Sequence, residues 1–473
     1  MADVVVLGAG VCGLATGLLL ARDGHGVTVL EQDPDPVPDT PEEAWRRWHR
    51  GGVAQFRQPH YLHPRARLVL EAELPDVSVA LAAAGAVRFD TLSTAPPTVP
   101  PLDRRPDDDR HTTLTARRCV LEQVVGRIAD EQPGLRVRRG VTVTGLLTRP
   151  LDGRLHVTGV TTADGDLTAD LVVDAMGRRS PLPRWLREAG SAPVQEESVD
   201  SGFAYYTRYF RSRDGGGLPE PRDRLNVAIG SLSVLTLPAD SGTWSVTLYT
   251  ASDDRPLKEL RHESAWTAVV AACPRQAHWL DGEPLTGVLP MAGILDRHRR
   301  LTDGERPPVT GIALVADAWA CTNPSIGRGI SLGLVHAVSL RDVLRQHLGD
   351  PREFAAAWDE ETETRLTPWY RATVAVDRAR LADMDAERQG RPAPRPQGPA
   401  VLGAALVRAM AFDAEVYRAF MEVVDCLTLP AELFARPGFT DRVLRVAGEH
   451  EHPPPAGPTR EQLLGLVAAA DHG

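Results

Sequence analysis

The hydrophobic pattern begins almost at the first residue. A short apolar run, Val4 to Leu7, is closed by glycine, helix-forming residues fill Val11 to Arg22, and Val27 to Leu30 returns to the composition of a buried strand. This order predicts a strand–helix–strand unit. Leu68, Leu70, Leu74, Val77 and Leu81 then recur at helical spacing within Pro64 to Ala84, and Arg117 to Ala129 repeats that pattern. Val137 to Asp174 reads as strands separated by the turn pairs Asp152-Gly153 and Asp164-Gly165.

From Phe203 to Ala251 aromatic and β-branched residues alternate, as in Trp244-Ser245-Val246-Thr247-Leu248-Tyr249, which predicts an antiparallel sheet. Strand texture like that of the N-terminus returns at Gly311 to Ala318, so a second domain is inserted between two portions of the first. Beyond Pro351 the pattern is helical, interrupted by Gln389 to Pro399 and Pro453 to Pro458, both expected to be mobile loops. No internal repeat is visible.

Composition narrows the class. A chain of 473 residues exceeds the usual domain of about 100–200 residues and predicts two packed domains with an appendage. Hydrophobic residues make up 42% and charged residues 25%, the balance of a globular protein. A formal net charge of -10 argues against a nucleic-acid partner, which demands a concentrated basic face. Lys258 is the only lysine, a bias expected of a GC-rich genome. Cys12, Cys119, Cys273, Cys321 and Cys426 are scattered without a CxxC, so neither a metal site nor a disulfide framework is expected. With no basic leader and no apolar stretch of the ~18 residues a membrane helix needs, the expectation is a cytoplasmic protein without a membrane partner.

The strongest chemical signal is Gly8-Ala9-Gly10-Val11-Cys12-Gly13, placed between strand and helix and followed by Glu31 at the end of the next strand. Gly8 permits the tight turn, Gly10 lets a pyrophosphate approach the backbone, and Gly13 lets helix and strand pack closely. The helix N-terminus attracts phosphate, and Glu31 accepts hydrogen bonds from a ribose. Together they specify a dinucleotide site on an α/β, Rossmann-like domain. Cys12, with no partner cysteine nearby in sequence, reads as a small packing residue.

Two further motifs decide which dinucleotide. Leu171-Val172-Val173-Asp174-Ala175-Met176-Gly177-Arg178-Arg179-Ser180 runs from strand into an arginine-rich turn. Gly311 to Ala318 is a strand ending on Asp317, followed by Asn323-Pro324-Ser325-Ile326-Gly327-Arg328-Gly329-Ile330-Ser331 and a helical segment. With these in order over most of residues 1 to 345, the sequence resembles the FAD-dependent monooxygenases of the p-hydroxybenzoate hydroxylase group, in their bacterial tailoring branch of hydroxylases and epoxidases.

The resemblance implies an FAD-binding domain over 1–180 and 301–345, a substrate domain over 181–300 and a helical C-terminal region over 346–473. It implies that Glu31 holds the FAD ribose, that Arg118 matches the family's arginine before a helix, and that Asp317 binds the ribityl chain. Pro324, Gly327, Gly329 and Ile330 would lie beside the flavin ring, where the helix N-terminus stabilises negative charge on the reduced flavin. The implied reaction passes through a flavin C4a-hydroperoxide that gives one oxygen atom to a small organic substrate of secondary metabolism. NADPH or NADH would be the reductant, docking transiently against arginines such as Arg57, Arg178 and Arg179. Two departures stand out: Asp174-Ala175 where the family has Asp-Gly, and Ala316-Asp317 where it has Gly-Asp. The first leaves open a separate flavin reductase as electron source.

The loop Gly52 to His60 resembles the family stretch passing over the flavin. Its Arg57 and His60 are the candidate catalytic residues, a cation and a proton-transfer group, weighed against a solvated loop with a structural histidine. The run Arg46, Arg47, His49, Arg50 reads as a solvated helix face, and Asp296 to Arg300 as surface or interdomain pairing. Phe203, Tyr205, Tyr206, Tyr209, Trp244 and Tyr249 divide between pocket and sheet packing. A flavin-dependent halogenase would need a pocket lysine and a Trp-x-Trp motif, and only Lys258 is available. A reductase of the geranylgeranyl reductase type remains open, and a non-catalytic FAD-binding protein ranks last.

Overall fold

The computed structural model describes residues 1–213, 215, 217–302, 307–451 and 456–470. Pro453–Pro455, the start of the second expected loop, lie outside the described residues. The architecture is mixed α/β. Its nucleotide-binding core is a parallel five-stranded sheet in the order Ile312–Leu314, Leu171–Asp174, Asp3–Leu7, Gly26–Glu31, Leu135–Arg139. Val4 pairs with both Val27 and Leu171, which makes Asp3–Leu7 the central strand. Central strands are covered on both faces, which is why the run Val4–Leu7 is continuously apolar and buried.

The helix Val11–Arg22 is buried along most of its length and packs against Gly329–His347, the long helix after the third motif. The periodicity over Pro64 to Ala84 yields two helices, Pro64–Glu73 and Pro75–Ala83, rather than one. Pro75 has no amide hydrogen to donate and disfavours α geometry at Leu74, which sits at φ -136° and ψ 58°.

A second, antiparallel sheet runs Asn226–Ile229, Leu232–Pro238, Thr243–Ala251, Phe203–Arg211, Glu283–Pro284, with Leu289–Met291 also paired to Phe203–Arg211. A small three-stranded sheet is formed by Gln195–Asp200, Leu295–Arg300 and Ala320–Cys321. The run Asp296 to Arg300 is therefore part of its central strand. Arg299 donates to Glu196 at 2.7 Å, and Arg300 grips Asp359 through two bonds of 2.7 and 2.6 Å. The C-terminal region is helical and lays Thr367–Arg388 and Ala414–Val424 against the cavity described next. Among the described residues no helix is long and apolar enough to cross a membrane.

Candidate functional site

One cavity of about 930 Å³ extends from the glycine motif to the antiparallel sheet and the C-terminal helices. At its nucleotide end, Gly8 holds φ +101°, and a Cβ there would meet the Ala175 carbonyl oxygen at 2.7 Å. A Cβ on Gly13 would meet the Gly8 oxygen at 2.1 Å, so this glycine sets the strand-to-helix approach. A Cβ on Gly10 would meet nothing within 4 Å, and Gly10 lines the cavity. The chain thus leaves open space at the N-terminus of a 12-residue helix, the place where a pyrophosphate gains most from orphan amides and the helix dipole.

Glu31 is fixed by its neighbours. Its carboxylate accepts from the Ala9 and Asp33 amides, both at 2.9 Å, and from Arg50 at 2.5 Å. The reading of Arg50 as part of a solvated helix face is corrected here. The helix Pro41–Arg46 ends before it, and its side chain, 5% exposed, also pairs with Asp33 at 3.1 Å and Glu122 at 3.0 Å. Arg46, Arg47 and His49 are exposed. Glu122 accepts from Arg118 at 2.6 Å as well, so a buried charge network runs from Glu31 to the helix Arg118–Glu131.

The second and third motifs sit side by side. Asp174 is fully buried, accepts the Met176 amide at 2.9 Å and the Ser180 hydroxyl, and has its carboxyl pushed up to about 6 by burial. It shapes the turn that places Arg178 and Arg179 on the cavity wall. Ala316 stands at φ +52°, the conformation that favours the glycine of the family motif. Its neighbour Asp317 lines the cavity, where burial raises its carboxyl above the ordinary range while Arg118 and Arg178 draw it back. Arg297 donates to the Arg178 carbonyl at 2.6 Å, and Arg299 reaches the Ala318 and Ser180 carbonyls at 3.3 and 3.4 Å, which ties both turns to the strand Leu295–Arg300.

Pro324, Gly327, Gly329 and Ile330 all line the cavity where the 19-residue helix Gly329–His347 begins. The loop is fixed by His63, a residue the sequence reading passed over. Its Nε2–H donates to the Ile326 carbonyl at 2.7 Å, its backbone amide donates to the Ser331 hydroxyl at 3.0 Å, and burial beside Arg328 lowers its pKa to about 3. Nothing around His63 in sequence signals this, because its partners lie more than 260 positions away.

Of the two candidate catalytic residues, His60 lines the cavity and Arg57 does not. Arg57 is corrected: it turns away, lies over the rings of Trp45 and Phe56, and donates to the carbonyls of Trp45 and Trp48. His60 donates from Nδ1 to the Gln58 carbonyl at 3.0 Å and accepts from Arg118 at Nε2 at 2.9 Å. Burial and the Arg118 charge push its pKa down to about 3, so the ring is neutral and orients Arg118. Cys12 also lines the cavity, its thiol raised to about 12 by burial, and it packs against Gly333.

At the sheet end, strand alternation sorts the aromatic residues. Tyr205 and Tyr249 face the cavity, stacked with centroids 5.1 Å apart, while Tyr206, Phe210 and Trp244 pack the opposite core. Phe203 is buried behind the tyrosines and Tyr209 packs edge-on against Trp45. Tyr205 donates to Asn323 at 2.6 Å, Tyr249 donates to Asn226 at 2.9 Å, and Asn226 donates to the Ser325 carbonyl at 2.8 Å. These bonds fasten the sheet to the loop of the third motif. Lys258 is exposed and lies off the cavity. Among the described residues no group of three or more His, Cys, Asp or Glu could hold a metal.

Comparisons with known proteins agree with this geometry. Residues 3–95 match the family of FAD dependent oxidoreductases (DAO). Protein Rv3254 of Mycobacterium tuberculosis is 28% identical over 375 residues, covering 72% of this chain and 72% of its own length. The menaquinone reductase of M. tuberculosis is 25% identical over 395 residues, covering 76% and 78%. Among solved structures, PqsL, a probable FAD-dependent monooxygenase from Pseudomonas aeruginosa, superposes with a TM-score of 0.60 at 18% identity, covering 81% of this chain and 99% of its own. The N-terminal segment thus matches the FAD dependent oxidoreductase family, and the chain as a whole shares the fold of PqsL.

Proposed function

We propose that the protein is a monooxygenase that uses FAD and O2 to hydroxylate or epoxidise a small organic molecule, with NADPH or NADH as reductant. The observation that carries this reading is the single cavity. It joins a dinucleotide cradle to a chamber walled by Tyr205, Tyr249 and apolar side chains, with the loop Pro324–Ile330 between them. Bound FAD supplies the electrons and activates the oxygen. Gly10 and the helix behind it would receive the pyrophosphate, Glu31 the ribose, Asp317 the ribityl chain, and the start of Gly329–His347 the ring. His60 holds Arg118 toward the same space, and the C-terminal helices exclude water from the substrate end. Arg178 and Arg179, which line the cavity, would meet nicotinamide phosphates, and Arg57, which does not line it, would not. Domain limits of 1–180, 181–300, 301–345 and 346–473 go with this assignment.

The test is anaerobic mixing with NADPH and then NADH, followed by admission of 18O2 with candidate phenols and alkenes. Bleaching of the flavin band and one labelled oxygen in the product support the reading. If neither nicotinamide bleaches the flavin while chemically reduced protein still oxygenates, a separate flavin reductase supplies the electrons. The menaquinone reductase similarity favours a second reading, a flavin-dependent reductase that moves hydride without oxygen. Turnover that persists without oxygen would establish it.

A further inference from the structure

Most of the deeply buried arginines in this protein face carboxylates: Arg50 faces Glu31 and Glu122, Arg117 faces Asp240, Arg299 faces Glu196, and Arg418 faces Asp108. At the sheet end of the cavity the buried Arg328 and the half-buried Arg224 and Arg380 depart from that pattern. All three line the cavity, and among the described residues none forms an ion pair with a carboxylate. Two of them are held by neutral oxygens. Arg328 donates to Thr373 at 3.2 Å and to the Val423 carbonyl at 2.8 Å, and Arg380 donates to Ser233 at 3.0 Å and to the Gly230 and Leu232 carbonyls at 2.6 Å.

Arg224 has not even that. Its side chain makes no hydrogen bond to the described protein; Nε is buried without an acceptor, and the guanidinium carbon lies 5.9 Å from the Phe420 ring. The adjacent Asp223 is spent on Arg275 at 2.8 Å and on the Arg224 backbone amide at 2.8 Å. The nearer carboxylates of the chamber are likewise engaged: Asp425 with His111 at 2.7 Å and Thr91 at 2.8 Å, Asp377 with Ser325 at 2.5 Å. A buried Nε–H without an acceptor is costly, and the other donors of this half-buried guanidinium have no acceptor in the described protein and belong to a side chain that lines the cavity, where a ligand can complete them. Its planar fork suits a carboxylate, and here it stands among Leu225, Leu235, Tyr249 and Phe420.

We propose that Arg224 is the anchor for a carboxylate on the substrate, whose planar apolar body fills the chamber between the tyrosines and the C-terminal helices. This rests on the reading above that the sheet end of the cavity is the substrate end. Binding sites commonly keep a group that destabilises the empty protein and is satisfied only by the ligand.

The test uses the full-length, FAD-loaded protein in air without reductant, titrated with 2-naphthoate and with its neutral isostere 2-naphthamide while the flavin absorbance is followed. The carboxylate should bind at least tenfold more tightly. R224Q should erase that preference with FAD content unchanged and with a melting temperature no lower than that of the parent protein, since no protein contact is lost. R224K, which keeps the charge but not the fork, should retain part of it. Equal affinities, no binding of either probe, a preference that survives R224Q, or a lowered melting temperature in R224Q would each overturn the proposal. Neither oxygen nor hydride takes part, so this outcome is independent of the 18O2 experiment that tests the reaction itself.

Discussion

The backbone N–H of Ala316 donates to Nδ1 of His336 at 3.1 Å, and the same alanine sits at φ +52° one residue before Asp317. The left-handed conformation that the family's glycine adopts freely is thus imposed here on a residue with a Cβ. Left-handed geometry costs a non-glycine residue about 1–2 kcal/mol, part of which glycine gives back in unfolded-chain entropy. Ala316→Gly should therefore stabilise the protein by about 0.5–1 kcal/mol in denaturant melts. A loss of stability instead would mean that packing of the Ala316 methyl against the helix at Gly333 outweighs the strain.

His336 is stacked on Trp358 with centroids 4.6 Å apart, and burial lowers its pKa to about 3. The neutral ring is the folded form. Its contribution is complete above the unfolded value of about 6.5 and is lost as pH falls toward 3, at about 1.4 kcal/mol per pH unit. His336→Phe should be less stable than the parent at pH 7.5, because the Ala316 amide loses its acceptor, and the gap should narrow by pH 5. Thermal melts at the two pH values check this, and an unchanged gap would exclude linkage through His336.

Gly10 and Gly13 should respond differently to the same change. Gly10→Val meets open space within the protein, so circular dichroism and the apoprotein melt should stay as they are while bound FAD falls more than tenfold. Gly13→Val drives a side chain into the Gly8 carbonyl and should leave little folded protein. Retention of FAD by Gly10→Val would place the pyrophosphate elsewhere.

Arg50→Met removes the cation shared by Glu31, Asp33 and Glu122 and leaves their charges facing one another with little solvent. Breaking a buried pair costs about 3–5 kcal/mol, and a loss in that range is expected in denaturant melts, together with weaker FAD binding. A drop below about 1 kcal/mol would show that water or cofactor already screens the three carboxylates.

The nucleotide end was legible because its chemistry is local. Gly8, Gly10, Gly13 and Glu31 signal a site within 24 consecutive residues, and strand alternation implies that the aromatic residues divide between two faces without telling which of them line the cavity. What escaped depends on distance along the chain. His63 acts on Ile326 and Ser331, and Arg50 acts on Glu122, so neither betrays its partner to a reading by windows. Arg57 misled for the complementary reason: in an irregular turn, neighbours point opposite ways, so Gln58 reaches the cavity while Arg57 covers Trp45.

The far wall of the chamber comes from the helices Thr367–Arg388 and Ala414–Val424, through Tyr370, Thr373, Phe420 and Met421, none of which touches the glycine motif. Under the proposed function, the residues that would select a substrate and the glycine motif that would hold FAD lie in separate stretches of the chain. Thr373, Asp377 and Val423 are tied by hydrogen bonds to Arg328 and Ser325 of the third-motif loop, whereas Phe420 and Met421 line the cavity from a helix outside all three motifs. Under the proposed function, drift at positions such as Phe420 and Met421 would change which molecules fit while the glycine motif stays as it is.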